Sequence, residues 1–203
     1  MFASQKYPSL SGTNVPRDFV EFPSQINEHW ALDPVVLKNY ALHYETKQPI
    51  PQALVDKIKK ASTFNQGYMT TELVSAAALD MDWHSVTNES QLLPVLDFET
   101  QSLANHGFTL ATVPPRYHTP YFAHIWGGGY SAGYYAYLWS ETLDNDAWEW
   151  IKNNGGLTRE NGDRFRKYIL SVGNSVDLNQ AFRDFTGHDP DIKPLLRNRG
   201  FIK

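Results

Sequence analysis

The stretch LSGTNVPRDFVEFPSQINEHW, Leu10 to Trp30, sets the reading of the chain. Asn14 precedes Val15-Pro16, a capping residue followed by a proline in the first turn, which predicts a helix start. Beyond it the apolar residues Phe19, Phe22, Ile26 and Trp30 recur every three or four positions, so the predicted helix runs to about Leu32. Glu21, Gln25, Glu28, His29 and Leu32 then lie along one side of it. A carboxylate set between Phe19 and Phe22 needs a partner, because burying it unpaired costs several kcal/mol, on the order of 5, or neutralises it. An arginine, a hydrogen-bond network or a metal ion could serve. An amphipathic helix with a solvated polar face would carry the same residues.

Helical punctuation continues along the chain. Asp33-Pro34 opens a second helix to about Tyr44, Pro49-Ile50-Pro51 breaks it, and Gln52 to Ser62 is a third. YMTTELVSAAALDMDWHSV, Tyr68 to Val86, has strong helix propensity with apolar residues all round, which predicts a buried helix. Leu92 to Asn105 follows as a helix, then the aromatic loop VPPRYHTPYFAHIWGGGY, Val113 to Tyr130. A long helix is expected from Ser131 to Asn153, ending at Gly155-Gly156, with further helices near 158–171, 177–185 and 191–198. The predicted class is all-α, in one domain over 1–203 with no internal linker.

The composition excludes several functions. With 203 residues the chain can build one large core or two small ones. The net charge of −4 and the absence of a basic cluster argue against nucleic acid and an anionic membrane surface. There are no cysteines, hence no disulfide, thiolate ligand or cysteine nucleophile. No apolar run approaches the roughly 20 residues that span a bilayer. Aromatic residues reach 14%, enough to line a pocket as well as a core.

The second chemical stretch is HIWGGGYSAGYYAYLWSE, His124 to Glu141. Gly127, Gly128 and Gly129 allow close backbone approach to a ligand. The run lacks the Gly-Lys-Ser/Thr ending of a phosphate loop. Tyr130, Tyr134 and Tyr137 follow at intervals of four and three, so their hydroxyls are expected on one helix side, where they could donate to a developing oxyanion. An aromatic core stripe has the same spacing. His43, His84, His106 and His188 read as solvent-facing or capping, and His118, near Arg116, as a residue able to bind substrate. The chain holds neither His-Glu-x-x-His nor Gly-x-Ser-x-Gly, so its own motifs complete no active site.

Together, the two quoted stretches and the ending DIKPLLRNRGFIK resemble the zinc peptidases of the thimet oligopeptidase and peptidyl-dipeptidase family over essentially all of the chain. The resemblance implies the C-terminal portion of a mostly helical, zincin-like catalytic domain. In that family two zinc ligands and the general base sit in a His-Glu-x-x-His helix, and the third ligand is a glutamate on the next helix, which Glu21 matches. Zinc is then Glu21's implied partner, one ion in the full-length enzyme and none in this chain alone. Tyr130 and Tyr137 match the family's transition-state tyrosines, and His124 a histidine near the primed subsites. Tyr134, Gly128 and Gly129 become substrate contacts; Arg116 and His118 are candidates for a terminal carboxylate by their chemistry only. Met1-Phe2-Ala3 aligns just after the missing motif, so a C-terminal fragment, inactive alone, is expected.

The wording of the second stretch is nearer the peptidyl-dipeptidases, which release C-terminal dipeptides from short peptides. The alternatives are an oligopeptidase that cleaves internal bonds and a non-catalytic helical peptide-binding module. Expected partners are short peptides, the missing N-terminal part and a second copy met through exposed apolar surface, with no nucleic acid or membrane. The expected location is cytoplasmic.

Overall fold

The computed structural model describes residues 2–203; the expected alignment of Met1 lies outside them. The helices in chain order are α1 (Arg17–Val20), α2 (Phe22–His29), α3 (Pro34–Tyr40), α4 (Gln52–Ala61), α5 (Gln66–His84) and α6 (Val95–Asn105). They continue with α7 (Ala123–Trp126), α8 (Ala136–Asn153), α9 (Arg159–Phe165), α10 (Leu178–Thr186) and α11 (Lys193–Asn198). A π-helical turn, Arg166–Leu170, follows α9. Among the described residues there is no named strand, only one isolated bridge between Leu42 and Pro49, so the all-α reading holds. No helix among them is long and apolar enough to cross a membrane.

Side-chain caps open α3, α9 and α10. The Asp33 carboxylate accepts from the Val35 and Val36 amides, 2.8 and 3.2 Å away, and Pro34 needs no such acceptor. Thr158 caps α9 through the Asn161 amide at 3.2 Å, and Asp177 caps α10 through the Gln180 amide at 2.7 Å. One expected helix is broken. Instead of running from Val15 to Leu32, the backbone ends α1 at Val20 and begins α2 at Phe22. Pro23 is the reason: it has no N–H for the Phe19 carbonyl, and its ring would crowd that carbonyl. The Glu21 amide takes the Phe19 carbonyl instead, and Glu21 sits at the junction of two helices.

The chain divides into two compact units, one of residues up to Phe64 with Ser140–Lys203, the other of Asn65–Trp139. In the first, Phe19, Phe22 and Ile26 from α1 and α2 meet Leu143, Ala147 and Ile151 of α8, Ile169, and Phe182 and Phe185 of α10. Phe22 is fully buried, edge-on to Phe19 and Phe165 with centroids 5.5 and 5.8 Å away. Burying one such ring is worth about 2–3 kcal/mol. His29 turns to α8: its Nε2 lies 2.8 Å from Asp144 Oδ1 and its ring stacks on Trp148 at 5.2 Å. Burial pushes the Asp144 carboxyl up to about 6, against the lowering effect of the His29 hydrogen bond. The polar row expected on one helix side is therefore divided, with His29 engaged in packing α2 on α8 and Glu28 exposed.

In the second unit α5 is buried only at its middle, through Ser75, Ala76, Leu79 and Asp80, while Tyr68, Met69 and Met81 near its ends are exposed. Ala76, Phe122, Ile125 and Tyr134 form the unit's core, with Leu73, Ala77, Trp83, Tyr117 and Tyr137 packed around them. The aromatic loop is pinned at Thr119. Buried Glu99 of α6 accepts from the Thr119 amide and hydroxyl at 2.8 and 2.9 Å. Trp83 Nε1 donates to Thr119 Oγ1 at 3.0 Å, and Trp126 Nε1 to the Thr119 carbonyl at 2.9 Å.

Candidate functional site

In the first unit the candidate residue is Glu21. It is half-buried, its backbone is near-helical (φ −86°, ψ −13°), and Ser24 Oγ lies 2.9 Å from its carbonyl oxygen and 3.1 Å from Oε2, the one hydroxyl hydrogen being shared between them. Among the described residues no group of three or more His, Cys, Asp or Glu side chains could hold a metal ion. The donors present therefore fit one ligand of a zinc site and fall short of a whole one, since a catalytic zinc takes three protein ligands, about three in nearly every case.

In the second unit four of the sequence candidates come together. The His124 ring lies 6.0, 5.7 and 6.2 Å from the rings of Tyr130, Tyr134 and Tyr137. Tyr130 stacks on Tyr137 at 5.1 Å, and Tyr134 meets Tyr137 at 5.3 Å. The route to this grouping differs from the expected one. The tyrosines do not share one helix side, because α8 begins at Ala136 rather than Ser131, and Tyr130 and Tyr134 precede it in successive turns. Ala132 at φ 51° interrupts helical backbone there, a conformation that costs a non-glycine residue about 1–2 kcal/mol. The amides of Ala132 and Tyr134 donate to the Asp80 carboxylate of α5, at 3.0 and 2.8 Å, and hold the turn in place.

Burial pushes the Tyr134 phenol up to about 12, with Arg116 opposing. Tyr134 therefore stays protonated, and able to donate, throughout the physiological range. Arg116 is half-exposed, 3.7 Å from Glu72, and reaches the cluster's edge beside Tyr117 and Tyr134. His118 is occupied differently: its Nδ1 hydrogen-bonds Glu99, and its ring meets Tyr121 rather than the cluster. Sequence reasoning passed over Tyr117, whose ring lies 5.4 Å from His124 and 6.1 Å from Tyr134, although it stands between two named candidates. It also read His84 as solvent-facing or capping, whereas His84 Nδ1 is 2.8 Å from Asp80 Oδ1.

Gly128 and Gly129 lie in the exposed turn that joins His124 to Tyr130. Three amides tie the turn down: those of Gly127 and Gly128 donate to the Ala123 carbonyl, and that of Tyr130 to the His124 carbonyl at 3.0 Å. A Cβ at Gly128 would fall 2.8 Å from His124 Cα and 3.0 Å from its carbonyl oxygen, whereas one at Gly127 would meet nothing within 4 Å. Gly128→Ala is expected to push the turn off His124 and to destabilise by about 1–3 kcal/mol, and Gly127→Ala to stay within about 0.5 kcal/mol. Thermal unfolding and near-UV dichroism of the tyrosines check both; equal effects would show that the contact at Gly128 relaxes freely.

The model of peptidase family M3 matches residues 1–201. The dipeptidyl carboxypeptidase of Escherichia coli K12 is 54% identical over 200 residues, which are 98% of this chain and 29% of that protein. Oligopeptidase A of Salmonella typhimurium is 33% identical over 189 residues, 93% of this chain and 28% of its own length. Saccharolysin of Saccharomyces cerevisiae is 32% identical over 192 residues, 92% and 26%. The chain thus spans under a third of the length of the curated relatives it matches. With a family match over residues 1–201, the chain belongs to peptidase family M3.

Proposed function

We propose that residues 1–203 form the C-terminal part of a single catalytic domain of a zinc metallopeptidase, which releases dipeptides from the C-termini of short peptides. The observation that carries this reading is the gathering of the rings of His124, Tyr130, Tyr134 and Tyr137 into one cluster. Zinc, when bound, would supply Lewis-acid activation of water and of the scissile carbonyl. Glu21 would be one of its ligands, with two imidazoles and the general base coming from the rest of the whole protein. This chain alone would then be inactive.

The remaining roles belong to side chains of the second unit. Tyr130 and Tyr137 donate to the oxygen that gains charge as the carbonyl is attacked. His124 and Tyr134 contact the peptide, with the backbone at Gly128 and Gly129. Arg116, half-exposed and cationic, is the better candidate for a terminal carboxylate. His118, tied to Glu99, acts by fixing the loop. Exposed apolar side chains such as Phe64, Tyr44 and Leu96 are suited to meet the rest of the whole protein or a second copy. A cytoplasmic location rests on the family resemblance alone.

The 54% identity to a dipeptidyl carboxypeptidase supports this reading over an internally cleaving oligopeptidase. The test is mass spectrometry of peptide digests by the full-length protein. Stepwise loss of dipeptides from a free C-terminus is expected. Amidating that terminus should slow cleavage about 10-fold or more, the equivalent of a charge-assisted hydrogen bond. Equal internal cleavage of both peptides would favour the oligopeptidase, and no cleavage of either would overturn both readings.

A further inference from the structure

Asp80 is fully buried on α5, far in sequence from the tyrosine turn that it holds. Its two carboxylate oxygens divide their work. Oδ1 accepts the Ala132 amide at 3.0 Å and lies 2.8 Å from His84 Nδ1. Oδ2 accepts the Tyr134 amide at 2.8 Å. His84 also lies 2.9 Å from the Asp80 carbonyl and packs against Trp126 at 5.5 Å, which closes the far side. Two amides two residues apart can converge on one carboxylate because Ala132 stands at φ 51°. A buried carboxylate is a costly way to fill a core position, and an apolar side chain would fill it without desolvating a charge. What the carboxylate adds is direction: it fixes the backbone segment from which Tyr130, Tyr134 and Tyr137 project.

We propose that Asp80 is a positioning residue, setting the turn 131–135 so that Tyr130 and Tyr137 stand at the distance the transition state requires. The inference rests on the proposed role of those tyrosines as oxyanion donors.

The test uses the zinc-loaded full-length protein. Asp80→Asn keeps the volume and one acceptor but, in either orientation, faces one of the two loop amides with a donor. Expected is a fall in kcat on the order of 10²-fold, as for a small misplacement of reacting groups, with KM within about 3-fold. Affinity for a phosphinic peptide, which mimics the tetrahedral intermediate, should fall in proportion, with zinc content unchanged. Asp82→Asn is the control: it removes a carboxylate from the same helix that pairs with His106 at 3.1 Å, and should change none of these. Tyr137→Phe is measured alongside. If Asp80→Asn is folded with kcat within about 3-fold of wild type while Tyr137→Phe is impaired, positioning by Asp80 is wrong. If Tyr137→Phe is also unimpaired, the oxyanion reading is what has failed. A rise in KM matching the loss of kcat, with phosphinic affinity intact, would mean general loosening and also overturn the proposal. Should Asp80→Asn not fold, Ala132→Pro decides by the same criteria, because it removes one of the two amides and forbids φ 51° while leaving α5 untouched.

Discussion

Glu21→Gln in the full-length protein is expected to lose zinc and, with it, peptide hydrolysis. The carboxamide is nearly isosteric with the carboxylate, and Ser24 can still donate to the Glu21 carbonyl at the α1–α2 junction, so the helix break should persist. What disappears is the negative charge that a zinc ligand must bring. Losing an outer-shell partner costs a metal site about 10–100-fold in affinity, and losing a ligand should cost more. Elemental analysis after dialysis against a mild chelator measures this directly. Retained zinc with retained activity would remove Glu21 from the metal site.

The second large effect is expected at the stacked tyrosine pair. Tyr137→Phe or Tyr130→Phe removes one hydroxyl and keeps the ring. Loss of an oxyanion donor lowers kcat by about 10²–10³-fold, or about 2.7–4 kcal/mol of barrier. Because the donor acts mainly as charge develops, KM should move little. The two rings stack at 5.1 Å, so the double variant should lose less than the sum of the single losses. Tyr134→Phe offers a contrast. Its hydroxyl is removed, but its amide still donates to Asp80, so the turn should survive and the effect should appear mainly in KM. Steady-state kinetics on one good peptide separates these cases. Wild-type kcat in both Tyr130→Phe and Tyr137→Phe would leave the cluster a packing feature.

What could be read from the sequence was what acts over a few residues. Asp33, Thr158 and Asp177 cap helices through amides two or three positions ahead, and the helices that they start were expected. The break at Glu21 also has a local cause, Pro23, but the apolar period runs through it unbroken, and periodicity prevailed over the proline. The late start of α8 could not be read in the same way. Residues 131–135, Ser-Ala-Gly-Tyr-Tyr, carry only Gly133 as a local sign against a helix, and the group that holds their turn in place is Asp80, on another helix. Asp80 itself looks like one polar position in a strong helical run. His118 shows the same limit in reverse: it looked available for a ligand, and its partner Glu99 lies 19 residues earlier. The tyrosine candidates nevertheless came together, because their grouping depends on a short stretch of chain closed by the hydrogen bond from Tyr130 to His124.

The role of Glu21 is tested most directly by anomalous diffraction at the zinc edge from crystals of the full-length protein. The expected result is one zinc ion with a Glu21 carboxylate oxygen about 2.0–2.2 Å away, the usual zinc–carboxylate distance. A zinc ion whose ligands are complete without Glu21, with that carboxylate more than about 4 Å away, well outside bonding range, would contradict it.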